Sequence, residues 1–372
     1  MNFLTIVMLI GISAWTPYSF LVTIGAIISP FYRTKKGEKK ATNVEFVIIT
    51  IASRKVKNSL TETLRMIERY YLEGYKIWVV IEEKAELSDE LSKMKWINLV
   101  KVPNEYKKNL KGKGRALAYF TRFYSTPDKW YAFLDDDNVI LNDDFLYEIP
   151  IYEKKGYQIA NPILVPRKGK NGITYILDHL RLFDDLTISR LFTGVVGKPL
   201  FNFHGELLLA KGSLLQQLVE VVDKTIAEDF ALALKSLTSN VRSWQSRTRV
   251  SIKSPNSIRD LIGQRGRWYK GIVQNFSQLS SIFSLITALA ILTWKIGMIL
   301  GIVLFPLMII ERNPLLLTIL PGIIYTWSAY LYGSLRYERP VFILGILFYP
   351  ILESVAVFGM MVTNKFYVID KT

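Results

Sequence analysis

An α/β fold, a parallel sheet covered by helices, is what this sequence predicts, with apolar helical segments at both of its ends. Two patterns carry the prediction. From about residue 43, strand-like and helix-like stretches alternate in the order β-α-β-α-β, which argues for parallel strands joined by helical crossovers. Residues 3–29 form an uncharged apolar run long enough to cross a bilayer, and further apolar runs follow at about 279–310, 315–333 and 341–362. These runs account for a hydrophobic content of 50% and a mean hydropathy of +0.21, both high for a chain that lives wholly in water.

The first apolar run is followed by Arg33-Thr34-Lys35-Lys36-Gly37-Glu38-Lys39-Lys40, and the positive-inside rule puts this cluster and the polar domain after it on the cytoplasmic side. An integral protein of the cell membrane is expected. A cleaved signal peptide fits less well, because the run is long, lacks a basic leader and carries its cations behind it. The net charge is +15, from 47 basic against 32 acidic residues, yet no RNA- or DNA-binding motif appears. Membrane lipid and a phosphate-bearing substrate explain the charge better than nucleic acid. With no cysteine, disulfides, thiolate metal sites and a cysteine nucleophile are excluded.

In chain order, Val44–Ile51, Tyr75–Ile81, Ile97–Val102 and Trp130–Leu134 read as strands. Between them, Leu60–Leu72 has helical spacing at Leu60, Leu64, Ile67 and Tyr71, and Gly114–Tyr124 reads as a second helix. No glycine-rich dinucleotide or P-loop pattern follows the first strand, so those cofactor classes are unsupported. Thr50 and Ser53 after the first strand, and Glu82 and Glu83 after the second, stand where a base and ribose would bind; turn and cap roles fit them equally. Lys107–Leu117 carries five cations and no acid before a helix, so Lys113 and Arg115 form either a pyrophosphate site or a solvated basic loop.

Asp135-Asp136-Asp137-Asn138 ends the buried-strand pattern. Carboxylates crowded at a strand's C-terminal end repel one another unless a cation sits among them. Asp135 and Asp137 are two residues apart and point the same way in extended chain, whereas Asp136 points elsewhere. That suits a hard divalent ion which keeps water and phosphate oxygens as its other ligands; taken alone the triplet reads equally as an acidic turn.

Further along, Gln158–Val165 reads as a strand, Pro166–Gly172 as a loop, and 173–200 as a mixed segment holding His179, Asp184, Asp185 and Arg190, with amphipathic helices expected. In Phe201-Asn202-Phe203-His204-Gly205-Glu206 the glycine allows a close approach to the backbone; the strand Leu207–Ala210 and a turn at Lys211-Gly212-Ser213 follow. With His179 and His204 the only histidines and far apart, a His-ligated metal is not expected. Glu228-Asp229 opens the helix Phe230–Leu237 as a cap or as a general base. Gln264-Arg265-Gly266-Arg267-Trp268 sits in a segment from Ser257 to Gly271 that reads as an amphipathic interface helix, although Trp and Arg there could be mere membrane anchors. Lys295 and Glu353 lie inside apolar stretches, where a charge must snorkel, pair or line a cavity. The expected plan is a transmembrane helix at 1–32, a cytoplasmic catalytic domain at 33–256, the interface helix at 257–276, transmembrane helices at 277–364 and a tail at 365–372.

The D-x-D after a buried strand, the later Glu-Asp and the Gln-x-x-Arg-Trp before the apolar block, in this order and spacing, resemble family 2 glycosyltransferases over about residues 43–275. This is the membrane-embedded branch that contains cellulose and hyaluronan synthases. Lys113-Gly114-Arg115-Ala116-Leu117, Ala227-Glu228-Asp229 and Ser254-Pro255-Asn256-Ser257 leading to Gln264–Gly271 look more closely like egghead-type β-1,4-mannosyltransferases, and Phe366–Lys371 resembles a tail motif of membrane synthases. The resemblance implies a GT-A, Rossmann-like nucleotide-sugar transferase domain with a mixed, mainly parallel sheet. It implies inverting transfer of a sugar, mannose from GDP-mannose, to a glycolipid hydroxyl, with Mn2+ or Mg2+ at Asp135 and Asp137. Asp229 is then the base. Thr50, Ser53, Glu82, Lys113, Arg115, Asp135, Asp136, Gln264 and Arg267 bind the donor, and His204, Gly205, Glu228 and Trp268 meet the acceptor. Two residues depart from the pattern: Glu82-Glu83 stands where many relatives show Asp, and Asp136 where a small residue is usual. A UDP-sugar-dependent polysaccharide synthase is the alternative chemistry, and a non-catalytic membrane scaffold the alternative class.

Overall fold

A computed structural model describes residues 3–107, 113–200, 203–222, 228–275 and 305–362. In chain order the elements are α1 (Phe3–Ile28), β1 (Val44–Ile49), α2 (Lys57–Tyr71), β2 (Lys76–Glu82), α3 (Ser88–Ser92), β3 (Asn98–Val102), α4 (Lys113–Phe123), β4 (Trp130–Leu134), β5 (Val139–Ile140), α5 (Asp144–Glu153) and β6 (Tyr157–Arg167). There follow α6 (Gly172–Asp184), a π-helix (Asp185–Val196), β7 (Leu208–Lys211), α7 (Gly212–Val222), α8 (Glu228–Thr238), β8 (Arg242–Lys253), α9 (Ile258–Gln274), α10 (Leu316–Tyr337) and α11 (Tyr349–Val362). The described chain forms two compact units. A sheet unit takes in Arg33–Arg167 and Phe192–Lys253; a helical unit takes in Met1–Tyr32, Lys168–Leu191 and Ser254–Tyr367.

The sheet unit holds one eight-stranded sheet in the order β3-β2-β1-β4-β7-β6-β8-β5. β1, β2, β3 and β4 are parallel, β7 runs antiparallel to both β4 and β6, and β6 and β8 are parallel. The sheet is mixed and mostly parallel, as expected. Period-two alternation sorts each strand between two cores. Phe46, Ile48, Trp130 and Ala132 pack with Leu60, Leu64 and Ile67 of α2 on one face. Val47, Ile49, Tyr131 and Phe133 pack with Leu117 and Phe120 of α4 and Leu214 and Leu218 of α7 on the other. Strands buried on both faces must be apolar throughout, which is why β1 and β4 are legible as continuous apolar runs.

Five elements of this unit, α3, β5, α5, α7 and β8, were not foreseen; at Gly212 the expected turn is the start of α7, and β8 and α5 show the reasons best. β8 is the longest strand, but its interior buries Ser243, Gln245, Ser246 and Thr248, so no apolar alternation marks it. α5 carries Pro150 inside it, a residue that reads as a helix breaker. The two are tied by Glu148 of α5, buried and accepting from Thr34 Oγ1 (2.7 Å), Trp244 Nε1 (3.2 Å) and the Arg247 N–H (3.2 Å). Residues of the basic cluster run along α5: Lys36 pairs with Asp144 and Lys40 with Asp143, each at 2.6 Å, and the Gly37 and Ala41 N–H groups donate to the Tyr147 and Leu146 carbonyls at 2.8 Å. Two of the five cations in that cluster are therefore paired within the domain.

In the helical unit, Leu9–Phe31 is the one segment among the described residues long and apolar enough to cross a membrane. α1 meets α10 at small residues: Ser19 Oγ donates to the Ile319 carbonyl and accepts from the Gly322 N–H, both at 3.0 Å, and a side chain at Gly322 would strike Trp15. The expected apolar run at 341–362 is not one helix. Pro340–Gly345 forms a 3-10 turn, and α11 has 14 residues, about 21 Å at 1.5 Å per residue against a hydrocarbon core of about 30 Å. Most of the run at 279–310, Lys295 and the tail lie outside the described residues.

At the β7–α7 junction the Gly212 N–H donates to the Lys129 carbonyl at 2.8 Å, and a Cβ on residue 212 would run into the Thr126 carbonyl. Gly212→Ala is expected to lower stability by about 1–3 kcal/mol, the usual weight of overpacking. Thermal unfolding beside the control Ser213→Ala measures it; an unchanged melting temperature would refute the steric account.

Candidate active site

The C-terminal ends of the parallel strands are where an open α/β sheet binds its ligands. At the end of β1, Thr50 Oγ1 donates to Asp136 Oδ2 at 2.9 Å and accepts from the Ala52 N–H at 3.0 Å. Asp136 thus faces β1, away from its two acidic neighbours. Asp137 is buried and accepts from Asn138 Nδ2 (3.3 Å) and from the Lys253 N–H at the end of β8 (3.2 Å). Asp135 is the more open, its side chain 30% exposed, and is ion-paired with Lys113 at the start of α4.

Lys113 is the meeting point. Its ammonium bonds Asp135, donates to the Gly205 carbonyl at 3.3 Å and stands 4.0 Å from Glu228 Oε1. Burial works against its charge, but the carboxylates of Asp135 and Glu228 outweigh that and raise its proton affinity above the ordinary lysine value. A Cβ on Gly205 would lie 3.0 Å from Lys113 Nζ and 3.7 Å from Asp229 Oδ2, so the glycine leaves room for both groups. Glu228 is pushed up to about 7 by burial and by the charge of Asp229, with Lys113 opposing. Asp229 is raised too, first by burial and then by Glu206, and its Oδ1 accepts from the Phe230 N–H at 2.8 Å. His204 Nδ1 lies 3.4 Å from Glu206 Oε2. Lys113, Asp135, Gly205, Glu228 and Asp229, drawn from four separate stretches of sequence, are therefore brought together.

Other expected residues take different places. Arg115 bonds Glu82 and donates to the Tyr106 carbonyl at 2.7 Å and the Pro103 carbonyl at 2.5 Å. It braces the ends of β2 and β3. Ser53 Oγ is buried with no partner among the described residues. Gln264, Arg267 and Trp268 lie on α9 in the helical unit, whose first turn is capped by Ser257 Oγ accepting from the Asp260 N–H at 3.1 Å. The guanidinium of Arg265 lies 4.4 Å from the Trp268 ring centre. Two site residues escaped sequence reasoning. Asn161 of β6 clasps His204, donating to its carbonyl at 2.7 Å and accepting from its N–H at 3.2 Å. Its one signal is an amide inside an apolar strand. Glu206, beside the flagged glycine, supplies charge to Asp229 and Lys113.

Comparison with known proteins bears on what this site does. The chain is 24% identical over 330 residues to the β-1,4-mannosyltransferase egh of Drosophila melanogaster, covering 81% of this chain and 71% of that one. It is 23% identical over 206 residues to the β-1,4-mannosyltransferase bre-3 of Caenorhabditis elegans, covering 52% of this chain and 45% of the other. Among solved structures, the mannosyltransferase PcManGT from Pyrobaculum calidifontis, in complex with GDP-Man and Mn2+, is similar with a TM-score of 0.53 over 95% of this chain and 99% of its own, at 14% identity, a likeness of fold. The family model described as glycosyl transferase family group 2 matches residues 130–334, a span that begins on β4, contains Asp135, Gly205, Asp229 and Trp268, and covers more than half of the chain. On that match the chain belongs to the family 2 glycosyltransferases, and it is an enzyme of the GT-A fold.

Proposed function

We propose that this enzyme is an inverting mannosyltransferase that moves mannose from GDP-mannose to a hydroxyl of a membrane glycolipid. The observation that carries the chemistry is the convergence of Lys113, Asp135, Glu228 and Asp229 around Gly205. The choice of sugar is supported by the similarity to β-1,4-mannosyltransferases over 81% of the chain and by a structural neighbour that holds GDP-Man. The choice of acceptor and of a membrane setting is supported by the apolar segment Leu9–Phe31. In this reading residues 33–256 face the cytoplasm, α9 lies at the interface, and the C-terminal helices hold the acceptor's lipid.

Among the described residues no three His, Asp or Glu side chains stand together as a metal cluster, so an ion here would take most of its ligands from donor phosphate and water. Asp135, Glu206 and Glu228 act on one ammonium, so negative charge is in excess, and Asp135 keeps an accessible carboxylate. Asp135 and Asp137 would hold Mn2+ or Mg2+ together with donor phosphate oxygens and water. When bound, such an ion offsets the charge that builds on the departing diphosphate. Lys113 stabilises the same charge from the protein side. Asp229 takes the proton of the acceptor hydroxyl as the oxygen attacks the anomeric carbon from the face opposite the leaving group, which inverts the configuration. Gly205 lets the acceptor ring reach the backbone beside that carboxylate. Glu82, held by Arg115, stands at the end of β2 to meet the base, with Thr50 and Ser53 at the end of β1.

Asp229→Asn is expected to cut turnover by about 10²–10⁴-fold, the range for a lost general base, with GDP affinity unchanged. Steady-state kinetics beside calorimetry measures both, and full turnover in the variant would sink the assignment. Asp135→Ala should remove the manganese-dependent share of GDP binding; equal affinity with and without chelator, in the unaltered enzyme, would refute a metal there. GDP set against UDP in the same titration tests the donor. For pH, the base works unprotonated, so turnover rises as Asp229 loses its proton. Glu206 holds that proton on, hence Glu206→Gln should move the acid limb of the kcat/KM profile to lower pH. A limb that stays in place would show that Glu206 does not act on the base.

A further inference from the structure

Glu353 lies in an apolar stretch, where a carboxylate needs a partner. Arg265 of α9 supplies it. Arg265 Nη2 donates to Asp178 Oδ1 of α6 at 2.7 Å and to Glu353 Oε1 of α11 at 3.4 Å, and all three side chains are buried, Glu353 to 1%. The same guanidinium donates from Nη1 to Gln264 Oε1 at 3.1 Å. It also lies over the Trp268 ring, as does Arg181 of α6, whose guanidinium is 4.8 Å from the ring centre.

These contacts do more than join three helices. A glutamine amide has an accepting end and a donating end; with Oε1 engaged by Arg265, the two Nε2 hydrogens are the end left to meet another group. A diphosphate only accepts, so a glutamine that meets one must present Nε2. A planar guanidinium on an indole face also fixes the ring plane, which a lysine would not do. Asp178 and Glu353 keep the cation at this post and away from free phosphate. Stability alone does not ask for such a group, since buried ion clusters replaced by apolar side chains of like volume often leave a protein equally or more stable.

We propose that Arg265, held by Asp178 and Glu353, is a positioning residue of the transferase: it sets the amide orientation of Gln264 and the ring plane of Trp268, and it makes α11 a requirement of catalysis. The proposal rests on the glycosyltransferase reading given above and adds residues which that reading does not assign.

The test is the triple variant Asp178→Leu/Arg265→Met/Glu353→Met in the full chain, with Arg265→Lys and Trp268→Phe beside it. The triple variant should keep its melting temperature while kcat/KM for the nucleotide sugar falls at least about tenfold, the weight of one hydrogen bond to a charged group. It should also lose the near-ultraviolet circular dichroism that Trp268→Phe removes. Arg265→Lys keeps the charge but not the fork, and should show the same kinetic defect. A triple variant with unchanged kcat/KM, or one that retains the Trp268 band, overturns the proposal. Should the triple variant fail to fold, unchanged turnover in Arg265→Lys overturns it. Absence of turnover in the unaltered enzyme would count against the proposed function, and the Trp268 band, which needs no turnover, would still decide the positioning claim.

Discussion

The ammonium of Lys113 is the charge around which the C-terminal ends of the parallel strands are arranged. Buried cations are costly unless paired, and this one is held by Asp135 from the end of β4, the Gly205 carbonyl before β7, and Glu228 at the start of α8. Three separate elements are thereby drawn to one point. The absence of a side chain at residue 205 follows from the same need, because a Cβ would press on Nζ itself. So does the two-way clasp of Asn161 on His204, which fixes the backbone that presents the Gly205 carbonyl. Against the pull of that ammonium, Glu228 is still pushed up to about 7 by burial and by Asp229, and Asp229 is raised by burial and by Glu206.

How much of this was legible varied with the physics of each element. β1, β2 and β4 could be read because strands covered on both faces are apolar at every position, and α2 because its apolar residues recur at helical spacing. β8 could not, since it buries small hydroxyls and an amide, with Ser243 Oγ donating to the Thr193 carbonyl and Thr248 Oγ1 accepting from the Phe145 N–H, and these leave no hydropathy signal. In the site, Asp135, Lys113, Gly205 and Asp229 stood out in sequence and do converge. Arg115 stood out equally, two residues from Lys113 in the same basic run, and went elsewhere. The reason is helical geometry: residues two apart on an α-helix are turned by about 200°, so Lys113 and Arg115 leave α4 on opposite sides. The run reads as one patch only while it is imagined as a loop.

The helical unit shows the limit of hydropathy as a guide. The apolar composition of 341–362 suits a crossing helix, yet it opens on the 3-10 turn Pro340–Gly345 and is α-helical only from Tyr349, and its one acid is paired with an arginine far away in sequence. Pairing of that kind depends on three-dimensional neighbours, and no window average can register it. Gly322 and Gly333 are similar cases: each sits where α10 is approached closely by Trp15 and His179, which a sequence shows only as small residues in an apolar run.

The segment that follows the N-terminal apolar helix has a practical bearing on any water-soluble form of this enzyme. Because Thr34, Lys36, Gly37, Lys40 and Ala41 are bound along α5, the sheet unit begins well before its first strand. A form cut just ahead of Arg33 keeps that lacing whole. One trimmed to the start of β1 would strip a hydroxyl from the buried Glu148 and leave an α5 surface bare, so it would be prone to aggregate for reasons unrelated to the removal of the apolar helix.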